Sequence, residues 1–372
     1  MRDGVSIVIP TVGRPSLTLL LERLRPQVAG SPVPVEVIVT EDRAGRGPAA
    51  ARNRGWRAAT HPWVAFLDDD VLPEPNWLAA LVDDLDRPED VGGVQGRITV
   101  PPPDDGQRDD WAANTAGLET ATWATADMAY RRTALDAVGG FDERFPRAYR
   151  EDADLAYRVG RAGWRLVVGA RRTLHPVRPE SPWACLRTQR GNADDALLRR
   201  LYGPDWHGLL AAPAGRRRRH AAIVAAGLAA AALAAVPHPV ARRAGAGAGL
   251  VWLAGTAEFA LARLRAAPGS HRAPLAVTSA LIPPLAVGHW LAGWLRSRSA
   301  RPWGAGQPTE RSTSAVSSAE TVADQPLSSL ESGSPARSSA WSTVSTVSTP
   351  WATGVDSSSA TRVSPSVTER HT

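Results

Sequence analysis

Apolar and polar positions alternate in blocks along the first 210 residues. Apolar runs at Val5–Ile9, Val35–Val39, Trp63–Leu67, Val91–Val100 and Trp164–Val168 read as strands buried on both faces. Helical patterns fall between and after them, at Pro15–Val28, Gly47–Thr60, Pro75–Leu85, Arg132–Val138 and Glu151–Ala162. Pro15 and Pro75 stand near helix starts, where the missing N–H has no intrahelical partner to lose. The alternation predicts an α/β class: a mostly parallel central sheet flanked by helices on both faces.

The pattern then changes. Residues 221–295 are rich in Ala, Leu, Val and Gly, with apolar blocks at 221–236, 244–262 and 273–295. A bilayer span needs about 20 apolar residues. The third block meets that length, although Pro283-Pro284 would kink it. The second contains Glu258, and the first is short. Residues 300–372 are rich in Ser and Thr and poor in apolar residues, which predicts a disordered tail. The expected organisation is a globular α/β domain over 1–215, a membrane-associated region of two or three apolar helices over 216–298, and a disordered tail over 299–372.

Charge narrows the choice of partners. The formal charge is +6, and all 43 basic residues are arginine. Such a balance fits nucleic acid or an anionic membrane. The positive clusters of the second half flank apolar segments, so a membrane is expected and nucleic acid is not. Arg216–Arg219 precedes the first apolar block, a positive-inside pattern that predicts the N-terminal domain on the cytoplasmic face of the cytoplasmic membrane. Residues 1–10 run into a strand without a basic, then apolar, leader, so no signal peptide is expected. Cys185 is the single cysteine, which excludes an intrachain disulfide and a multi-cysteine zinc site.

The candidate chemistry lies at strand ends and helix starts. The third apolar run stops in Asp68-Asp69-Asp70. Ligands of open α/β sheets bind beyond the carboxyl ends of strands. Three adjoining carboxylates repel one another unless a cation neutralises them, and oxygen ligands suit Mg²⁺ or Mn²⁺. Alone, the trio is equally an acidic turn. Pro10, Thr11 and Arg14 lie in the connection after the first strand, where a nucleotide could dock, and Glu41 ends the second. In Gly47–Gly55, Arg52 offers a planar fork for phosphate. Glu151 and Asp152 open a helix, where acids favour the macrodipole. The same pair could supply a general base, with one carboxyl pushed up by its neighbour. His175 follows the last strand, Arg190 could meet phosphate, and Trp206 could stack on a sugar or sit at a membrane interface.

With these elements in order, the chain resembles the inverting family 2 glycosyltransferases of the GT-A fold over roughly residues 4–210. The resemblance rests on Phe66-Leu67-Asp68-Asp69-Asp70, on Gly139-Gly140-Phe141-Asp142-Glu143-Arg144-Phe145, and on Glu151-Asp152-Ala153-Asp154-Leu155-Ala156-Tyr157-Arg158. It implies a nucleotide-diphosphate sugar donor and a divalent cation (Mn²⁺ or Mg²⁺); the apolar zone adds the expectation of a glycan or lipid-linked acceptor. By the resemblance, Asp152 is the base within the Glu151-Asp152 pair. Pro10, Thr11, Arg14, Glu41, Arg52, Asp68, Asp69 and Arg190 meet the donor. Asp68, Asp70 and His175 hold the metal, and Asp127 and Trp206 meet the acceptor. Two departures stand out: Glu41-Asp42 replaces a usual Asp-Asp, and Asp127 stands where members often carry Asn or Gly. No Gln-x-x-Arg-Trp element follows Gln189, which favours single transfer over polymerisation. The alternatives are a nucleotidyltransferase acting on sugar phosphates, which would want a glycine-rich loop where Thr11-Val12-Gly13-Arg14 stands, and a catalytically silent membrane scaffold.

Overall fold

The computed structural model describes residues 4–102, 110–265, 272–301 and 360–363. The expected strands form as β1 (Val5–Thr11), β2 (Val35–Glu41) and β3 (Trp63–Leu67). They are followed by a two-residue β4 (Leu72–Pro73), β5 (Val91–Thr99), β6 (Asp127–Arg131) and β7 (Arg165–Leu174). A short β8 (Ala360–Val363) pairs antiparallel with β2. The sheet order is β4-β7-β5-β6-β3-β1-β2-β8. β1, β2, β3, β5 and β7 share one direction, whereas β4, β6 and β8 oppose it. The α/β expectation is therefore met. The insertion of β6 between β3 and β5 was not read from the sequence, because a run that opens on Asp127 does not look like a central strand. Most of the expected disordered tail lies outside the described residues.

Alternate side chains of each strand feed two cores. On one face Ile7, Ile9, Ala65 and Leu67 pack with Leu20 and Leu24 of α1 (Ser16–Ala29) and with Trp77, Leu78 and Leu81 of α3 (Trp77–Asp84). On the other, Val8, Val64 and Phe66 pack with Ala49 and Trp56 of α2 (Pro48–Ala58), Leu135 of α5 (Arg132–Val138), and Leu155 and Val159 of α6 (Glu151–Arg161). This is the period-2 division of a strand between two faces. Gly55 lets α2 sit directly on β1; a Cβ there would overlap Val8. A short helix not foreseen, α4 (Asp110–Ala116), lies between β5 and β6.

After β7 come α7 (Ala184–Thr188), a 3₁₀ turn (Gln189–Gly191), α8 (Asn192–Tyr202) and α9 (Trp206–Leu209). The apolar zone folds as α10 (Arg217–Ala234), α11 (Pro239–Leu264) and α12 (Arg272–Arg296). By length and composition two of these, α11 and α12, are apolar enough to cross a membrane, with mean hydropathies of 1.2 and 1.4.

Candidate active site

Parallel pairing brings the carboxyl ends of three strands together. Thr11 stands opposite Glu41, and Val8 opposite Phe66. Asp68, Asp69 and Asp70 therefore follow β3 beside the β1–α1 connection, where the open-sheet rule places ligands. Asp69 and Asp70 share Arg14, whereas Asp68 has a partner of its own. Asp69 accepts from the Thr11 hydroxyl at 2.6 Å and from Arg14 Nη1 at 3.0 Å. Burial pushes its carboxyl up to about 6, against the pull of Arg14 and of the Thr11 hydrogen bond. Asp70 Oδ2 takes Arg14 Nη1 at 3.1 Å and Arg178 Nε at 3.2 Å, while its Oδ1 lies 3.6 Å from His175 Nε2. Asp68 turns the other way, to Arg52 Nη2 at 2.7 Å.

Arg52 is the centre of the arrangement. It rises from α2, is 1% exposed, and also donates Nη1 to Glu151 Oε1 at 2.8 Å. One planar fork thus joins the strand-end acids to the start of α6. The face of Phe141 lies 5.5 Å from the guanidinium. The turn that carries Phe141 is held by Asn53, whose side-chain amide donates to Phe141 O and whose Oδ1 accepts from Phe141 N, each at 2.9 Å. Gly140 has φ +76, and a Cβ there would meet Trp56 and Asn53. Arg158 of α6 donates to the carbonyls of Val138 and Gly140, so the Gly139-Gly140 motif serves to fasten α5 to α6.

Glu151 and Asp152 open α6 as expected. Glu151 is buried, and its Oε2 has no hydrogen-bond partner. Asp152 is part-exposed and accepts from the Ala153 N–H at 2.8 Å. Burial pushes both carboxyls above the ordinary range; the Asp152 charge adds to the effect at Glu151, and Arg52 opposes it at both. The residue before them, Arg150, has φ +74, a left-handed conformation rare for arginine. Asp195 at 3.3 Å, the Tyr149 ring at 4.7 Å and the Trp206 ring at 5.5 Å hold its guanidinium there. Backbone strain of this kind persists only where the surroundings over-determine it.

Several expected site residues have other placements. Asp127 is fully buried. It accepts from Trp77 Nε1 at 2.8 Å, Arg171 Nε at 2.7 Å and the Thr173 hydroxyl at 2.5 Å. It is the polar anchor of α3, β6 and β7, with no face left for an acceptor, which corrects its assignment. Trp206 is buried beside Phe145, Leu201 and Leu210, so neither ring face is open to stack on a sugar. It does line a small cavity of ≈ 20 Å³, about the room of one water, together with Asn192, Asp195, Arg217 and Trp290. Glu41 pairs with Arg43 at 2.6 Å at the end of β2. Arg190 is exposed on the 3₁₀ turn before α8, and Pro10 is buried at the end of β1.

The metal expectation divides. Among the described residues no three His, Cys, Asp or Glu side chains converge, because Asp68 is engaged by Arg52. The Asp70–His175 gap of 3.6 Å is longer than a hydrogen bond. It does fit two ligands each about 2.1 Å from one ion, so this pair suits a divalent cation. Sequence reasoning missed Arg178 and Arg171. Arg178 stands three residues after His175 and shares its partner Asp70; that spacing was the available signal.

The acids, the arginines and the acidic helix start thus gather at the carboxyl edge of the sheet. Residues 22–154 match the model of glycosyl transferase family 2. The match supports the transferase expectation over the nucleotidyltransferase alternative. The chain is 35% identical over 193 residues to a pre-mycofactocin glycosyltransferase of Mycobacterium tuberculosis, covering 44% of this chain and 40% of the relative. It is 24% identical over 225 residues to a hyaluronan synthase of Pasteurella multocida, covering 43% of this chain and 23% of that protein. The chain thus spans less than half the length of these curated relatives. Among solved structures, a mannosyltransferase of Pyrobaculum calidifontis in complex with GDP-Man and Mn²⁺ is 19% identical, covers 78% of this chain and 88% of its own, and has a TM-score of 0.44.

Proposed function

We propose that this protein transfers a sugar, with inversion and one residue at a time, from a nucleotide-diphosphate donor to an acceptor hydroxyl. The acceptor is a cell-envelope glycan or a lipid-linked molecule at the cytoplasmic face of the membrane. The observation that carries this reading is Arg52, buried and shared between Asp68 and Glu151. It ties a donor-side carboxylate to the helix that bears the base.

The donor lies along the ends of β1–β3, with Pro10, Thr11 and Glu41 beside the nucleoside, Arg14 and Arg178 facing the negative charge of the diphosphate, and the buried Arg52 holding Asp68 in place behind them. Asp70 and His175 hold a divalent cation, which when bound supplies positive charge to the leaving diphosphate. Asp152 is the base. It is the more exposed member of the pair, whereas Glu151 spends one oxygen on Arg52. Asp152 accepts the acceptor hydroxyl proton as the oxygen attacks the anomeric carbon, and the bond to the nucleotide diphosphate breaks on the opposite side. Positioning by the Arg52 bridge provides the near-attack geometry.

The test is a panel of UDP- and GDP-sugars incubated with Mn²⁺ and a membrane extract as acceptor source. Transfer lost in Asp152→Asn, with donor binding retained by calorimetry, is the expected result. Substantial transfer by that variant would overturn the assignment of the base. Donor binding without turnover in the wild type would favour the scaffold reading.

A further inference from the structure

We infer that α11 and α12 dock the protein on the surface of an anionic lipid bilayer, in one leaflet, and do not cross it. The inference rests on the membrane association proposed above and concerns how that association is made.

α12 is fastened to the catalytic domain at both ends. Near its start, Leu275, Thr278 and Ser279 surround Arg263 of α11, which donates to Leu275 O at 3.2 Å, Thr278 Oγ1 at 3.0 Å and Ser279 Oγ at 2.7 Å. The same guanidinium reaches Asp110 of α4 at 3.0 Å. Near its end, Gly293 lies directly on Ala193 of α8, where a Cβ would overlap the backbone, and Trp294 holds the Arg200 guanidinium 3.3 Å from its ring centre. Leu275 to Gly293 is about 27 Å of helix at 1.5 Å per residue, close to the thickness of a bilayer core. A bilayer around α12 would therefore have to admit α7 and α8, with Arg187, Asp194, Asp195 and Arg199. α12 lies along the domain and not away from it.

Each helix leaves its other side uncovered. On α12, Val277, Leu281, Leu285, Leu291 and Leu295 are exposed and fall within an arc of about 120° at 100° per residue. Leu275, Ile282, Ala286 and Gly293 occupy the opposite side and are buried. On α11, Val240, Leu250, Val251, Leu253 and Leu261 are exposed, and Gly245, Phe259 and Arg263 are buried opposite them. Leu250 at 68% and Leu295 at 64% exposed are not surface residues that water favours. Apolar surface of this extent marks an interaction site.

Charge chooses the occupant. Between residues 206 and 301 there are twelve arginines and one acid, Glu258, which pairs with Arg216. Arg242, Arg243, Arg265, Arg272, Arg296 and Arg298 are exposed at or just beyond the ends of the two helices. An apolar helix face bordered by arginines is what an interfacial helix presents to anionic headgroups.

Flotation of the full chain with phosphatidylglycerol-containing vesicles tests this, with pure phosphatidylcholine vesicles as the comparison. No donor or acceptor is present, so failure here is separate from failure of the glycosyltransferase reading. The expected result is binding to the anionic vesicles at least about tenfold tighter than to the neutral ones, with release by alkaline carbonate. Leu291→Asp/Leu295→Asp should lower binding by about tenfold or more with an unchanged thermal melt, and Arg242→Glu/Arg243→Glu should remove the anionic preference. Retention in the membrane after carbonate would show a span and overturn the inference. So would equal binding by both double variants, or self-association of the chain without vesicle binding.

Discussion

Arg52 and Glu151 lie 99 positions apart in the chain, yet Nη1 of one and Oε1 of the other are 2.8 Å apart in the buried floor of the site. The second arm of the guanidinium reaches Asp68 at 2.7 Å. Only a forked cation satisfies both carboxylates at once. Arg52→Lys should therefore lose one of the two bonds although it keeps the charge. The expected outcome is a fall of about 10²-fold in kcat/KM, measured by steady-state transfer, with circular dichroism unchanged.

The two neighbouring acids of α6 should separate by role. Asp152→Asn should lower kcat by about 10³-fold, within the usual range for a general base. Glu151→Gln, which can still accept from Arg52, should lower it much less. Because both carboxyls are held above the ordinary range by burial, the base form is reached later in a titration than for a free aspartate. In the wild type kcat/KM should rise with pH along a limb whose midpoint lies above that of a free aspartate; a midpoint at or below it would contradict the raised direction.

Asp69 links pH to stability. Its carboxyl titrates at about 6 in the folded state against an unfolded value near 3.8. A raised value means that the folded chain binds more protons across that window, so stability falls as pH rises through it. Asp69→Asn removes the ionisation. The variant should gain on the wild type between pH 4 and pH 7, by at most about 3 kcal/mol. Paired thermal melts across that range measure the difference.

Asp127 should behave as a structural residue. Removing its carboxylate leaves the fully buried Arg171 with Asp84 as its remaining counter-charge and leaves the Trp77 and Thr173 donors unpaired. Asp127→Ala should cost about 3–5 kcal/mol of unfolding free energy and leave the acceptor KM unchanged at a permissive temperature. Urea denaturation and acceptor kinetics on one preparation decide it.

The pair Asp70 and His175 gives a metal prediction. His175→Ala should raise the Mn²⁺ concentration needed for half-maximal transfer by about tenfold or more, whereas EDTA should abolish wild-type transfer reversibly. Metal-independent activity in both proteins would remove the cation from the reaction.

The sequence by itself determined the α/β alternation, the five co-directional strands and the acids at the end of β3, because buried strands must be apolar and must stop where the site begins. It also marked Arg52, Glu151 and Asp152 as chemical residues. It did not determine which acids share a partner. Asp68, Asp69 and Asp70 are consecutive, and only the packing of β1, of α2 and of the chain after β7 sends Asp68 to Arg52, Asp69 to Thr11, and Asp70 to His175 and Arg178, with Arg14 shared by the last two acids. Asp127 misled for the same reason. An acid at a strand start reads as a ligand residue until Trp77, Arg171 and Thr173, distant in sequence, close around it. Hydropathy likewise marked α11 and α12 as apolar, but which face is covered depends on contacts with α4 and α8 that lie far away along the chain. Periodicity records which residues avoid water; the tertiary structure decides what replaces the water.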